Sequence, residues 1–185
     1  MNSKGFSIGV VLLKFIGENY SMLFTLVPMQ EEYIEGFWKA VDSVAREKKY
    51  LAFLQAPCLE STRAFVLDNL KNRRPSFLAI VEGEVVGWCD LMDLGRPIFS
   101  HVGELGMGIK APFRGQGIGK ALIERLIQEA KNRSYTRLEL SVREPNIPAI
   151  SLYKKMGFEI EGVKKRHACV DSVYEDVFWM ALLLK

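Results

Sequence analysis

Residues 114–119 read Arg-Gly-Gln-Gly-Ile-Gly, and a helical pattern starts inside them. Glycines at 115, 117 and 119 leave a loop whose amides no side chain shields, and the first turn of a helix has amides with no partner inside the helix. Joined to the positive end of the helix dipole, such amides make a seat for a phosphate-like anion. The chemistry implied is the grip on a phosphorylated ligand.

Two familiar phosphate motifs do not fit the spacing. A dinucleotide fingerprint counted from Gly117 and Gly119 needs glycine where Leu122 stands. A nucleoside-triphosphate loop ending in Gly119-Lys120 needs glycine at 114 and a hydroxyl at 121, where the chain has Arg114 and Ala121. Metal chemistry has no ligand pattern: His101 and His167 stand alone, and Cys58, Cys89 and Cys169 show no paired spacing. No metal is assigned, and scattered cysteines favour a reducing compartment.

Strand and helix patterns alternate around the loop. Residues 23–27 read as a strand and 29–46 as a helix, with Tyr33, Phe37, Ala40, Val41 and Val44 on one face. A loop follows over 48–57, then a helix over about 59–71 that stops before Pro75. Residues 76–81 and 85–91 flank Glu82-Gly83-Glu84 as a hairpin. The next strand, 102–109, carries glycine at 103, 106 and 108, and a strand glycine marks a bulge or a close approach of another backbone or a ligand. Helix 117–132 lines up Ile118, Leu122, Leu126 and Ala130, and residues 136–142 alternate as a half-buried strand. Asn146 suits an N-cap with Pro148 in the first turn, and Gly157 a C-terminal stop. Residues 158–170 and 173–184 form the last strands across Asp171-Ser172.

The order strand, Arg114-x-x-Gly117-x-Gly119, helix, strand, Asn146-x-x-Ala149-x-x-x-Tyr153, then Gly157-Phe158 resembles the GNAT family of N-acetyltransferases. Glu161-Gly162-Val163, Asp171, Tyr174-Glu175-Asp176 and Met180 extend the resemblance toward the branch acting on amino acids, amino-acid-like antibiotics and protein N-termini. Ser172 stands where that branch usually has glycine, which implies a less tight turn at Asp171-Ser172. The resemblance implies an α/β, single-domain fold with a mixed, mostly antiparallel central sheet, splayed between strands 4 and 5, and about four helices. Residues 21–185 are the expected domain, and residues 1–20 an N-terminal extension, either an extra strand or a packed arm.

The resemblance also implies an activity: moving the acetyl group of acetyl-CoA to a primary amine of a small molecule, amino acid or peptide N-terminus. The loop would wrap the pyrophosphate of acetyl-CoA with amides from about Gly115 through Gln116, Gly117 and Ile118 to Gly119, joined by Lys120 and needing no metal. Arg114 either adds charge or pairs elsewhere. Met107 and Ile109 would offer backbone groups to the pantetheine arm, an amide near Met107 steadying the oxyanion. Glu104 is the candidate general base, with Asp90 on the neighbouring strand as the alternative or an amine that arrives already neutral. Tyr153, otherwise a core tyrosine, is the candidate general acid for the departing thiolate; a phenol of pKa ~10 sits near a thiol of ~8.5. Asn146 is expected to cap its helix and contact the cofactor together.

Composition narrows the partners. A net charge of +3 with short basic clusters at 73–74 and 164–166 gives no argument for nucleic acid. The apolar run 6–16 is interrupted by Lys14 and falls short of the roughly 20 residues of a membrane span. A cytoplasmic protein with an amine acceptor is expected. A homodimer through strand 173–184 or the N-terminal arm is an arrangement the apolar surfaces allow, and a non-catalytic acyl-CoA-binding sensor is the alternative function.

Overall fold

The computed structural model describes residues 9–11 and 23–185. Eight strands form one sheet in the order β1-β2-β3-β4-β5-β6-β8-β7. They are β1 (Gly9–Val11), β2 (Phe24–Pro28), β3 (Ser76–Val81), β4 (Glu84–Asp93), β5 (Val102–Ile109), β6 (Arg137–Arg143), β7 (Glu159–Val170) and β8 (Val173–Leu183). Every neighbouring pair is antiparallel except β5 with β6. Four α-helices stand among the described residues: α1 (Ile34–Ala45), α2 (Leu59–Lys71), α3 (Ile118–Asn132) and α4 (Ile147–Lys155). β1 adds a strand ahead of those the sequence pattern supplies; the rest of residues 1–20 lies outside the described residues.

Period-two alternation gives the sheet two apolar faces. On one, α1 buries Ile34, Phe37, Ala40, Val41 and Val44, at helical spacing, against Leu78, Val85 and Trp88. On the other, α3 and α4 bury Ile118, Leu122, Leu126, Ile150 and Tyr153 against Phe77, Cys89, Leu105, Leu138 and Leu140. Trp88 and Cys89, adjacent in β4, thus serve opposite cores. No helix among the described residues is long and apolar enough to cross a membrane.

The β7–β8 turn overturns one expectation. Val170 pairs with Val173 directly across Asp171 and Ser172, whose φ angles are 47° and 68°. A tight two-residue turn is therefore kept, with both central residues in the left-handed region that glycine would occupy without strain.

The parallel contact between β5 and β6 sets up everything that follows. Pairing runs only over Val102↔Arg137, Gly103↔Leu138 and Glu104↔Glu139. Beyond Glu104 the strands part, β5 staying on β4 to its end and β6 staying on β8. The expected splay between strands 4 and 5 is this opening, renumbered by the extra first strand.

Candidate active site

The glycine loop leaves the end of β5 through a short 3-10 turn, Ala111–Phe113, and enters α3 at Gly117. Gly115 has φ 75° and Gly117 φ 83°, so both need the left-handed region that only glycine enters freely. The consequence is a row of donors. Among the described residues, the amides of Gly115, Gln116, Gly117, Ile118, Gly119 and Lys120 make no hydrogen bond, and the first one inside the helix is Ala121 N to Gly117 O at 3.1 Å. They lie at the positive end of a 15-residue helix. Gly119 has a different reason: a Cβ there would stand 3.0 Å from Leu152 and 3.2 Å from Ile109, so its bareness lets α3 pack on α4 and β5.

Backbone direction in β5 follows from two bonds at its ends. Lys110 N donates to Val86 O at 2.9 Å, fixing even-numbered residues toward β4. His101 O accepts from Thr136 N at 3.0 Å, fixing odd-numbered residues toward β6. Leu105, Met107 and Ile109 therefore aim their backbone groups into the splay. The Ile109 carbonyl is already taken, accepting from Arg114 Nε at 2.8 Å.

The three strand glycines make room for side chains of the protein itself. A Cβ at Gly108 would sit 2.3 Å from the Trp88 ring, at Gly106 3.0 Å from Asp90 Oδ1, and at Gly103 3.2 Å from Leu91. The sequence pointed to another backbone or a ligand; on this face the groups that approach are the side chains of Trp88 and Asp90.

Glu104 closes the paired segment and shares its face with Gly106, Asp90 and Trp88, the α1 side of the sheet. It is half-buried and forms no hydrogen bond or ion pair among the described residues. Tyr153 stands on the opposite side, 7% exposed, against Phe158 with ring centroids 5.8 Å apart. Burial, with a smaller push from Cys89, raises its phenol above the usual value and keeps it protonated. Asn146 caps α4, its Oδ1 accepting from Ala149 N at 3.4 Å.

Arg114 is fully engaged. Its guanidinium makes a bidentate pair with Glu47 and lies 4.5 Å over the Tyr50 ring. Tyr50 is thus tied to the glycine loop, while Phe53, in the same segment, is 39% exposed. Glu47, Trp88 and Arg143 escaped the sequence reading. Glu47 lies 67 residues from Arg114, so no local pattern could join them. Arg143, on β6 beyond the splay point, donates to Lys48 O at 2.7 Å and to Glu175 Oε2 at 2.5 Å. Among the described residues no group of three or more His, Cys, Asp and Glu has metal-holding geometry.

A splayed mixed sheet with bare amides at the mouth of α3 defines an acyl-CoA-binding architecture. The chain belongs to the acetyltransferase (GNAT) family, whose profile matches residues 38–158. The L-amino acid N-acetyltransferase AaaT of Escherichia coli strain K12 is 37% identical over 105 residues, 56% of this chain and 65% of that protein. The ribosomal protein bS18-alanine N-acetyltransferase of the same strain is 34% identical over 76 residues, 41% of this chain and 51% of that protein. The aligned stretches thus span less than two thirds of either relative. A phosphinothricin acetyltransferase of the GNAT superfamily from Sinorhizobium meliloti, solved in complex with acetyl-CoA, superposes with a TM-score of 0.82. Its identity is 19%, covering 87% of this chain and 88% of that one, a likeness of fold.

Proposed function

We propose that this chain is an acetyl-CoA-dependent N-acetyltransferase whose acceptor is the primary amine of a small molecule, an amino acid or a peptide N-terminus, attacked directly. The observation that carries the reading is the run of six amides from Gly115 to Lys120 without hydrogen-bond partners among the described residues, set beside an open strand edge. A pyrophosphate matches the first, and an extended amide chain such as pantetheine matches the second. Acetyl-CoA supplies the activated acyl group as a thioester. The residues of the chain do the rest.

In this reading the amides of residues 115–120 orient the donor, and the Met107 amide, aimed into the splay, faces the oxygen that becomes negative on attack. Glu104, on the α1 side, accepts a proton from the acceptor nitrogen, and Tyr153, on the α4 side, protonates the leaving sulfur. Asn146 holds the start of α4, fixing where Tyr153 stands, and contacts the donor. Arg114 works through position, bracing the loop against α1. Free thiols at Cys58, Cys89 and Cys169 suit a reducing, cytoplasmic setting.

The test pairs calorimetry of acetyl-CoA binding with thiol release across free amino acids, small amines and short peptides. The reading expects saturable binding and amine-dependent thiol release. No binding overturns it outright. Binding without release against any amine overturns the catalytic part and leaves a sensor.

A further inference from the structure

Acetylating an ammonium strips two protons from one nitrogen. One must leave before the lone pair can attack the thioester carbon. The second leaves as the C–N bond forms and the C–S bond breaks. The thiolate regains one proton, from Tyr153 in the reading above, and the other passes to solvent. A single half-buried carboxylate on the acceptor side leaves the first step without an assigned group.

We propose that Asp90 takes the first proton, converting the bound ammonium to the amine, and that residue 106 is glycine so that this carboxylate faces the splay. The assignment deepens the acetyltransferase reading and rests on it. Glu104 then takes the second proton, as the new bond forms. Once the products leave, Asp90 and Glu104 each release a proton to solvent and Tyr153 regains one from it, so that one proton is released net per acetyl group transferred.

The geometry is specific. Asp90 lies mid-strand on β4, 4% exposed, with no hydrogen bond or ion pair among the described residues. No fully buried side-chain oxygen or nitrogen there lacks a partner, so the little exposure Asp90 keeps lies at its carboxylate oxygens. Oδ1 points at Gly106, 3.0 Å from where a Cβ would be. Gly106 is the second residue past the last β5–β6 pair, the place where the sheet opens. Trp88 lies over Gly108 one step further, closing that side with an aromatic wall.

The surroundings explain how such a group works as a proton acceptor at neutral pH. Glu104 sits diagonally across on β5 and Ser76 directly across on β3. The facing side of α1 is apolar, with Phe37, Val41 and Val44, and Cys89 points into the other core. Arg74, a cation near the far end of the strand, is engaged by Asp68, Asp93 and Asn69. No cation among the described residues offsets the burial, which pushes the Asp90 carboxyl up to about 7. An α-amino group of pKa ~8 then gives up its proton at a cost of about tenfold in the equilibrium, against about ten-thousandfold for an ordinary carboxyl near ~3.9.

The experiment is the pH profile of kcat/KM for a turned-over amine, with acetyl-CoA affinity measured on the same samples. The wild type is expected to show a rising limb near pH 7 besides the limb of the amine itself. Asp90→Asn is expected to remove that limb and lower kcat about 100-fold, with acetyl-CoA affinity within about twofold of wild type. Gly106→Ala, which drives a methyl against the carboxylate, is expected to shift the limb and lower kcat. A carbon-13 titration of Asp90 in the wild-type protein gives the same answer without a variant: a midpoint near 7 supports the assignment, and one below about 5 overturns it. An intact limb and full kcat in Asp90→Asn overturn it as well, leaving the acetyltransferase reading standing. Absence of turnover in the wild type despite acetyl-CoA binding overturns both.

Discussion

Both carboxylate oxygens of Glu47 hold the guanidinium of Arg114, at 2.8 and 2.5 Å, binding the end of α1 to the first residue of the glycine loop. The next residue, Lys48, is tied to the other arm of the splay. Its carbonyl accepts from Arg143 at 2.7 Å, and its Nζ bonds both oxygens of Asp171 at 3.0 and 3.1 Å. Two consecutive residues therefore strap the β5 side to the β6–β8 side across the opening. Breaking this strap at Glu47 should register at the proposed donor site through the loop it braces.

Glu47→Gln keeps the shape of the pair and removes its charge. The side chains are 31% and 25% exposed, so solvent screens part of the pairing and the expected stability loss is about 1 kcal/mol. That corresponds to a Tm lower by roughly 2–4 °C in a thermal melt. Acetyl-CoA affinity is expected to fall about tenfold by calorimetry, since the loop loses its brace.

Gly117→Ala and Gly83→Ala form a matched pair. Their φ angles are 83° and 82°, so both substitutions carry the same left-handed strain of about 1–2 kcal/mol. Only the first puts a methyl beside the free amides. Equal losses in melting temperature, with acetyl-CoA affinity lowered in Gly117→Ala alone, are the expected result.

Little of that strap was readable from the sequence, and the reason is separation. Helices α1 and α3 and strands β5 and β8 are written in local periodicity, and the sequence pattern gives β5 and α2 end to end. Asn146 and Pro148 mark the start of α4 by local capping chemistry, which needs no tertiary contact. The partner of Arg114, by contrast, is decided by which loop crosses the splay, a matter of topology. The glycines of β5 were legible as sites of close approach but not as sites for Trp88 and Asp90, because register between β4 and β5 is set by the hairpin and the intervening loop. Ser172 misled for a related reason: the pairing of β7 with β8 forces the tight turn whatever residue occupies it.

Tyr153→Phe separates acid catalysis from packing. The hydroxyl has no hydrogen-bond partner among the described residues, so its loss should change stability by less than about 0.5 kcal/mol. If the phenol protonates the leaving sulfur, kcat falls about 100-fold while the acetyl-CoA KM stays level. Unchanged kcat would reduce Tyr153 to a core residue.

Asp90 makes folding stability depend on pH in a definite direction. Its folded carboxyl titrates near 7, above its ordinary value of 3.8, so the native state binds a proton that the unfolded state releases between those values. The stabilisation is complete below about pH 4 and is lost as pH rises through about 7. Asp90→Asn, which cannot ionise, should match the wild type near pH 4 and exceed it by up to about 4 kcal/mol above pH 8. Denaturant melts of both proteins at the two pH values check the sign and the size.

The central claim is direct acetyl transfer from acetyl-CoA to an amine. It is tested most directly by incubating the protein with acetyl-CoA and primary amines, free L-amino acids and alanine-ended peptides among them, while thiol release and products are followed together by mass spectrometry. The account expects at least one N-acetylated amine formed in step with free CoA, with no acetyl group retained on the protein. Acetyl-CoA bound at the loop, with neither thiol nor acetylated amine above the uncatalysed level, would contradict it.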